Sequence, residues 1–183
     1  SVLSIVLNLA LNWLFVRVET DEGLSGVGEG SLPGHPRAVA AAVDEYREHV
    51  VGEDPARIQH LWQVMYRQPF FRSGAVTLSA MSAIEQALWD IKGKVAGLPV
   101  YELLGGRCHD RIKLYANGPG GATLEELADS ARSLVDRGFT AIKTGLTEPV
   151  LPVQGDGFFR LASEQAEALR DAVGEDVEIG WDA

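Results

Sequence analysis

Four polar residues lie at the ends of strand-like runs in the second half of the chain, where their side chains could take part in chemistry. They provide an amide, an ammonium, a hydroxyl and a carboxylate group: Asn117, Lys143, Thr144 and Asp182. Because the carboxyl ends of parallel strands open onto one mouth of a barrel, side chains at those ends converge there. We therefore take these four residues as the main candidates for a functional site.

Each candidate also has an ordinary structural explanation. An Asp at the end of a strand is usually a solvated carboxylate, and a Lys in the same place is commonly a surface charge. Asn117 precedes Gly118, and an Asn-Gly pair is equally well explained by turn chemistry. The residue types alone leave these alternatives open.

The elements that must position these residues alternate between strand-like runs and amphipathic helices. Thr123-Leu124-Glu125-Glu126 has the form of a capping box that opens a helix, and Gly138 ends that helix. The remaining predicted elements are the strands Ile112–Ala116, Thr140–Thr144 and Val177–Trp181 and the helix Phe158–Val173. This alternation is typical of βαβ units that build a parallel sheet.

A different pattern precedes residue 110: an antiparallel hairpin followed by helices. Asp21-Glu22-Gly23 supplies the hairpin turn, and Asp54-Pro55 predicts the start of a helix. The predicted elements are the strands Trp13–Thr20 and Leu24–Glu29, helices from Arg37, from Asp54 and over Thr77–Val95, and a helical turn at Val100–Leu104. We place a domain boundary there, giving domains at 1–110 and 111–183.

The composition excludes several classes of function. The net charge of -10 and the lack of a basic run argue against a nucleic-acid partner. One cysteine, Cys108, cannot form an internal disulfide, which fits a cytoplasmic location. The apolar opening, Ser1–Val16, lacks a basic segment and a cleavage site, so we expect a buried strand rather than a signal peptide or a membrane span. We also expect a homo-oligomer.

Three stretches of sequence resemble the enolase superfamily, specifically its mandelate racemase subgroup. The most specific is Ser82-Ala-Ile-Glu-Gln-Ala-Leu-Trp-Asp-Ile-Lys-Gly-Lys-Val-Ala-Gly97-Leu-Pro99-Val-Tyr-Glu-Leu-Leu-Gly-Gly106. The hairpin Val16–Glu29 is similar to that family's capping sheet, and Asp54–Tyr66 resembles D-galactonate dehydratases in particular. The resemblance covers essentially the whole chain, although the Ser82–Gly106 motif concerns packing rather than chemistry.

The resemblance implies an α+β capping domain, an antiparallel hairpin sheet with helices, followed by a TIM-type α/β barrel. Residues 111–183 would then form only the first three β/α units of the eight-unit barrel. Three parallel strands do not close a barrel, and their open edge leaves backbone groups unpaired. We therefore expect the native polypeptide to continue by roughly 200 residues.

The resemblance also assigns roles to the candidate residues. Asp182 falls on the first of three carboxylates that bind Mg2+ in the family, and the other two are expected beyond Ala183. Lys143 would lie beside the substrate carboxylate, with Asn117 and Thr144 as further substrate contacts. In the capping domain, the loops at 8–13 and 30–36 would shape the pocket, and His35 could reach hydroxyl groups of the substrate.

The implied reaction is the Mg2+-dependent dehydration of an aldonic acid, such as galactonate or gluconate, to a 2-keto-3-deoxy acid through an enediolate. Racemases and cycloisomerases of the family carry Lys-x-Lys at the second strand, the second Lys being the base. This chain has Lys143-Thr144-Gly145, which argues against racemisation through that lysine. A racemase or epimerase with another base, and an inert binding or structural subunit, remain alternatives because fold does not decide function.

Overall fold

The computed structural model describes residues 2–7, for their backbone, and residues 13–72, 74–146 and 152–182 in full. The chain divides into two compact units, residues 1–108 and residues 109–183. Among the described residues, the first unit contains an antiparallel sheet and four helices, and the second contains a parallel sheet and two helices. The predicted fold class, an α+β capping domain followed by the first β/α units of a barrel, is thereby confirmed.

The sheet of the first unit has three antiparallel strands in the order β1-β2-β3. Its strands are β1 Val2–Leu7, β2 Trp13–Glu19 and β3 Ser25–Glu29. The predicted hairpin is confirmed, and the amide of Leu24 donates to Thr20 Oγ1 at its turn. The opening run, expected to be one buried strand, instead contributes to two. The reason is length, because strands in globular proteins usually have about 5–6 residues.

Four helices follow in the first unit: α1 Pro36–Val50, α2 Ile58–Arg67, α3 Ala75–Ala96 and α4 Val100–Leu103. Gly97 ends α3 as predicted, in the left-handed conformation with φ 64°. The predicted start of α2 at Asp54 is wrong, because the helix begins at Ile58. The carboxylate of Asp54 accepts from the amide of Ala56 at 2.8 Å, so it forms a local turn instead of a helix cap.

Helix α3 lies against β3 at backbone distance. A Cβ atom added to Gly28 would lie 2.0 Å from the carbonyl oxygen of Ala83, and one added to Gly26 would lie 2.0 Å from that of Ala87. No side chain fits at either position, because real Cβ atoms essentially never lie this close to another heavy atom. The two glycines therefore set the closeness of the helix to the sheet.

Polar side chains of α3 also bond the outer edge of β3. The amide of Val27 donates to Asp90 Oδ2 at 3.0 Å, and Lys94 Nζ donates to the carbonyl of Ser25 at 2.7 Å. Gln86 exchanges two hydrogen bonds with the backbone of Glu29. These bonds take the place of a further strand, which protects the edge from pairing with another chain.

The core of the first unit lies between the sheet and α1, α2 and α3. Its largest fully buried side chains come from all of these elements: Leu14, Val16, Val39, Leu61, Met65, Met81, Ile84 and Leu88. The ends of the predicted apolar stripe of α3 lie outside this core, since Leu78 and Val95 are exposed. None of the described helices is both long enough and apolar enough to cross a membrane.

The second unit is a parallel sheet in the order β4-β5-β6 with two crossover helices. Its elements are β4 Ala116–Asn117, α5 Leu124–Asp136, β5 Ala141–Gly145, α6 Asp156–Val173 and β6 Glu178–Asp182. The first strand is shorter than the predicted Ile112–Ala116, because pairing with β5 begins at Ala116. Ile112 and Leu114 are accordingly exposed.

Helix α5 begins at its predicted cap. Thr123 Oγ1 accepts from the amide of Glu126 at 3.2 Å, which is one half of the predicted capping box. In the other half, the side chain of Glu126 accepts from the amide of Ala122 at 2.7 Å. Ala122 is the residue before the N-cap Thr123, whose own amide is the donor in a standard capping box. The hydrophobic core of the second unit includes buried residues from the sheet, from both helices and from the turn before β6: Ala116, Leu127, Ala131, Ile142, Leu169 and Val177.

Candidate active site

The two faces of the parallel sheet have different roles. Side chains alternate along a strand, and Ile142 in β5 is fully buried against the helices with Leu127 and Leu169. Lys143, the next residue, therefore lies on the face opposite the helices. The register pairs Asn117 with Lys143 and Gly145 with Asp182, which places Asn117 and Asp182 on the same face as the lysine.

An ion pair joins the ends of β5 and β6 on this face. Lys143 Nζ lies 2.6 Å from Asp182 Oδ2, with the side chains 33% and 69% exposed. The residues beside them in the register, Gly180 and Gly145, have no side chains to separate the two charges. A charged hydrogen bond of this length is of the strong kind.

The pKa of Lys143 is raised above its ordinary value. The hydrogen bond that the ammonium donates to Asp182 is the largest cause, and the charges of Asp182 and Tyr115 act in the same direction. Partial removal from water opposes them. Lys143 is therefore a cation at neutral pH, suited to attract an anionic group.

A concave pocket of about 400 Å3 opens at the carboxyl ends of the three strands. Asn117, Thr144 and Asp182 line it, together with the glycine-containing loop at 118–121. The structure therefore brings three of the four strand-end candidates to one pocket, and the ion pair connects Lys143 to it.

Thr144 is placed differently from its neighbours, because its side chain is 4% exposed and lies on the helix side of the sheet. Its Oγ1 lies 3.2 Å from the carbonyl oxygen of Pro119 and 3.1 Å from that of Gly145. The amide of Gly118 donates to the carbonyl of Lys143 at 2.7 Å. These bonds hold the loop after β4 against the end of β5, and a substrate contact by Thr144 stays a prediction.

His35 lies in the first unit, directly before α1, and its side chain is exposed. Its amide donates to the carbonyl of Leu32 at 3.0 Å, so the backbone of this loop is ordered by its own turn. Its substrate role stays a prediction. The other loop expected to shape the pocket, at 8–13, lies outside the described residues except for Trp13.

A second ion pair on the same face was not foreseen from the sequence. Lys113 Nζ lies 2.5 Å from Glu178 Oε1, at the opposite end of β6 from Asp182. The two-residue spacing of Glu178, Gly180 and Asp182 could have shown that both carboxylates share one face. Their lysine partners depend on strand register, which the pattern did not specify.

The described residues offer a divalent cation one ligand at this pocket. Asp182 provides carboxylate oxygens, the ligand type that Mg2+ prefers. Within residues 13–72, 74–146 and 152–182, no three His, Cys, Asp or Glu side chains lie together in a group that could hold a metal. Asp182 thus fits the ion as a single ligand and does not complete its site.

Comparison with known proteins agrees with this architecture. The family described as mandelate racemase / muconate lactonizing enzyme, N-terminal domain, matches residues 7–105. The D-galactonate dehydratase of Verminephrobacter eiseniae is 47% identical over 93% of this chain and 44% of its own length. That of Variovorax paradoxus is 44% identical over 95% of this chain and 45% of its own length. The chain thus spans a little under half the length of these relatives.

Solved structures show the same fold. An enolase from Pantoea ananatis with bound D-gluconate and Mg superposes with a TM-score of 0.86 at 33% identity, covering 100% of this chain and 52% of that one. A member of the enolase superfamily from Salmonella Typhimurium gives a TM-score of 0.87 at 29% identity, covering 98% and 52%.

The fold and the strand-end site define the class: a capping domain followed by the first β/α units of an enzyme barrel. The chain belongs to the mandelate racemase / muconate lactonizing enzyme family of the enolase superfamily. Within that family it resembles the D-galactonate dehydratases over 93–95% of its own length.

Proposed function

We propose that this chain is part of a Mg2+-dependent hydro-lyase that dehydrates an aldonic acid, such as galactonate or gluconate, to a 2-keto-3-deoxy acid. The observation that carries the proposal is the contact of Lys143 in β5 with Asp182 at the carboxyl end of the adjacent parallel strand β6, on one face of the sheet. The names of the relatives and the gluconate and Mg bound to the Pantoea ananatis enolase support the substrate class.

The reaction begins with loss of the proton next to a carboxylate, which is a very weak acid. Negative charge develops on the carboxylate oxygens as an enediolate forms, and stabilising that charge lowers the barrier. Mg2+, when bound, would supply Lewis-acid stabilisation at those oxygens. Asp182 would provide one of its ligands, while two further carboxylates and the His-Asp pair that acts as base and acid are expected in the part of the relatives that this chain does not span.

The residues of this chain would then bind and orient the substrate. The ammonium of Lys143 would attract the substrate carboxylate, because opposite charges within a few ångströms interact favourably. Asn117 lines the pocket and would bond a hydroxyl group, as would His35 from the capping domain. Gly145 offers no base at the second position of Lys-x-Lys, so the geometry favours dehydration over racemisation through that position.

Several features of the whole protein belong to the same proposal. Its domains are a capping domain at 1–110 and a barrel that begins at 111–183. It is a cytoplasmic homo-oligomer that acts on a small sugar acid and binds neither nucleic acid nor membrane, and the net charge of -10 of the 183-residue chain argues against a nucleic-acid partner.

A screen of diastereomeric aldonic acids tests the proposed activity. We expect the protein at its natural length to form a 2-keto acid from galactonate or gluconate with Mg2+, and to lose this activity with excess chelator. Keto-acid formation is measured against a no-enzyme control. Interconversion of stereoisomers without keto acid would instead identify a racemase or epimerase, and no turnover of any sugar acid would support an inert subunit.

A further inference from the structure

The contact between Lys143 and Asp182 has a consequence for cation binding. The ammonium lies 2.6 Å from Oδ2 of the carboxylate expected to bind Mg2+. In the 183-residue chain the carboxylate is 69% exposed, so its oxygens are open to a cation. A cation that binds the Asp182 carboxylate therefore comes close to the Lys143 ammonium, which is already bonded to that carboxylate.

We propose that the Lys143 ammonium competes with the divalent cation for the Asp182 carboxylate and thereby weakens cation binding. This inference rests on the proposed function, because it takes Asp182 to be a cation ligand. The lysine has a flexible four-carbon chain, and the adjacent Gly180 and Gly145 leave space beside it. Lys143 can therefore move off Asp182 as the cation arrives.

Charge decides the direction of the effect. If Lys143 merely oriented Asp182, its loss would weaken cation binding, as loss of an outer-shell partner usually does. An ammonium, however, repels a dication that shares its carboxylate. At about 5 Å in a water-exposed site, the repulsion between charges of +1 and +2 corresponds to roughly tenfold in affinity.

The competition also links cation and substrate. Once displaced from Asp182, the ammonium is free to pair with a substrate carboxylate. Because coupling between two ligands is reciprocal, a bound sugar acid should in turn hold Lys143 away from Asp182 and tighten cation binding.

Titration of the natural-length protein with Mn2+, followed by electron paramagnetic resonance, tests the inference without an activity assay. Lys143→Met should lower the Mn2+ dissociation constant about tenfold, and Lys143→Gln serves as a second neutral variant. Lys143→Arg keeps the charge and should bind Mn2+ as the unaltered protein does.

Lys113→Met is the matched control, since it removes the other ammonium from the same face of the sheet. Its partner Glu178 lies four residues from Asp182 along β6, roughly 13 Å away at about 3.3 Å per residue. This distance exceeds the screening length of about 8 Å at physiological salt. The control variant should therefore bind Mn2+ like the unaltered protein.

The outcomes separate this inference from the function on which it rests. Unchanged or weaker Mn2+ binding in both Lys143→Met and Lys143→Gln would overturn the competition and leave the proposed lyase intact. Tighter binding in Lys113→Met to the same degree would also overturn it, because the effect would then reflect net charge alone. Failure of the unaltered protein to bind Mn2+ would instead count against the proposed function itself.

Discussion

Asp182 and Lys143 are separated by 39 positions in the chain, yet their charged atoms are in contact. Asp182 ends β6 and Lys143 lies two residues before the end of β5, and their positions near strand ends could be inferred from the hydrophobic pattern alone. Their contact depends on two further facts: β5 and β6 are neighbours, and the register pairs Gly145 with Asp182. Residue type provides the charges, and strand pairing brings them together.

Removal of the Asp182 carboxylate should reduce activity without unfolding the protein. In the natural-length protein, we expect Asp182→Asn to lower kcat/KM for the aldonic acid by on the order of 100-fold or more, because a weaker ligand would hold less firmly the cation that stabilises the developing oxyanion. Asn has nearly the same size and shape as Asp, so the substitution creates no cavity. Keto-acid formation measures the rate.

Glu178→Gln is the control for that substitution, because it neutralises a carboxylate on the same strand and face. Its partner is Lys113, with 2.5 Å between the charged atoms, and circular dichroism of the variant checks that loss of this pair leaves the protein folded. We expect activity close to that of the unaltered protein. Equal activity in Asp182→Asn and Glu178→Gln would remove Asp182 from the site.

At the scale of secondary-structure elements, α3 packs on β3 at backbone distance. The glycines of β3 bring the strand to the helix backbone, and Gln86, Asp90 and Lys94 then bond its edge. These three polar residues of α3 therefore provide hydrogen-bond partners for backbone groups at the edge of β3. This explains Asp90 without a catalytic role.

A methyl group at position 28 should destabilise this packing. In Gly28→Ala the new Cβ would lie 2.0 Å from the carbonyl oxygen of Ala83, and a backbone atom cannot rotate away. We expect the free energy of unfolding to fall by about 1–3 kcal/mol or more, as in overpacked cores. Chemical denaturation followed by tryptophan fluorescence measures the change.

Gly74→Ala provides the comparison, because a Cβ at that position has no heavy atom within 4 Å and its backbone is extended. Because Ala is a poorer helix N-cap than Gly, Gly74→Ala should cost roughly 0.5–1 kcal/mol, less than the value expected for Gly28→Ala. Equal stability of Gly28→Ala and the unaltered protein would show that α3 and β3 are not held at backbone distance.

On the scale of the whole molecule, the chain contains two units, and the proposed chemistry needs groups beyond those described in either. The 183-residue chain by itself should therefore show no turnover of any aldonic acid, because the proposed site needs two further carboxylates besides Asp182. The measurement is keto-acid formation by this chain beside the natural-length protein at equal concentration. Product above the no-enzyme level from the 183-residue chain would show that its own residues suffice.

Much of the fold was predictable because it depends on near neighbours in the sequence. Thr123 caps α5 through a residue three positions away, and Gly97 ends α3 through its own left-handed backbone. The start of α2 was misplaced because Asp54 bonds the amide two residues ahead and forms a turn. Local signals of this kind compete, and three-dimensional packing decides between them.

The sequence alone determined the order of strands and helices, the change from antiparallel to parallel pattern, and the polar residues at strand ends. These follow from hydrophobic period and from capping, which act over a few residues. Tertiary structure decided the register of β5 and β6, the shortening of β4, the packing of α3 against β3, and the two lysine-carboxylate ion pairs. Those features join residues far apart in the chain, whose contact energies exist only once the backbone has folded and brought them within reach.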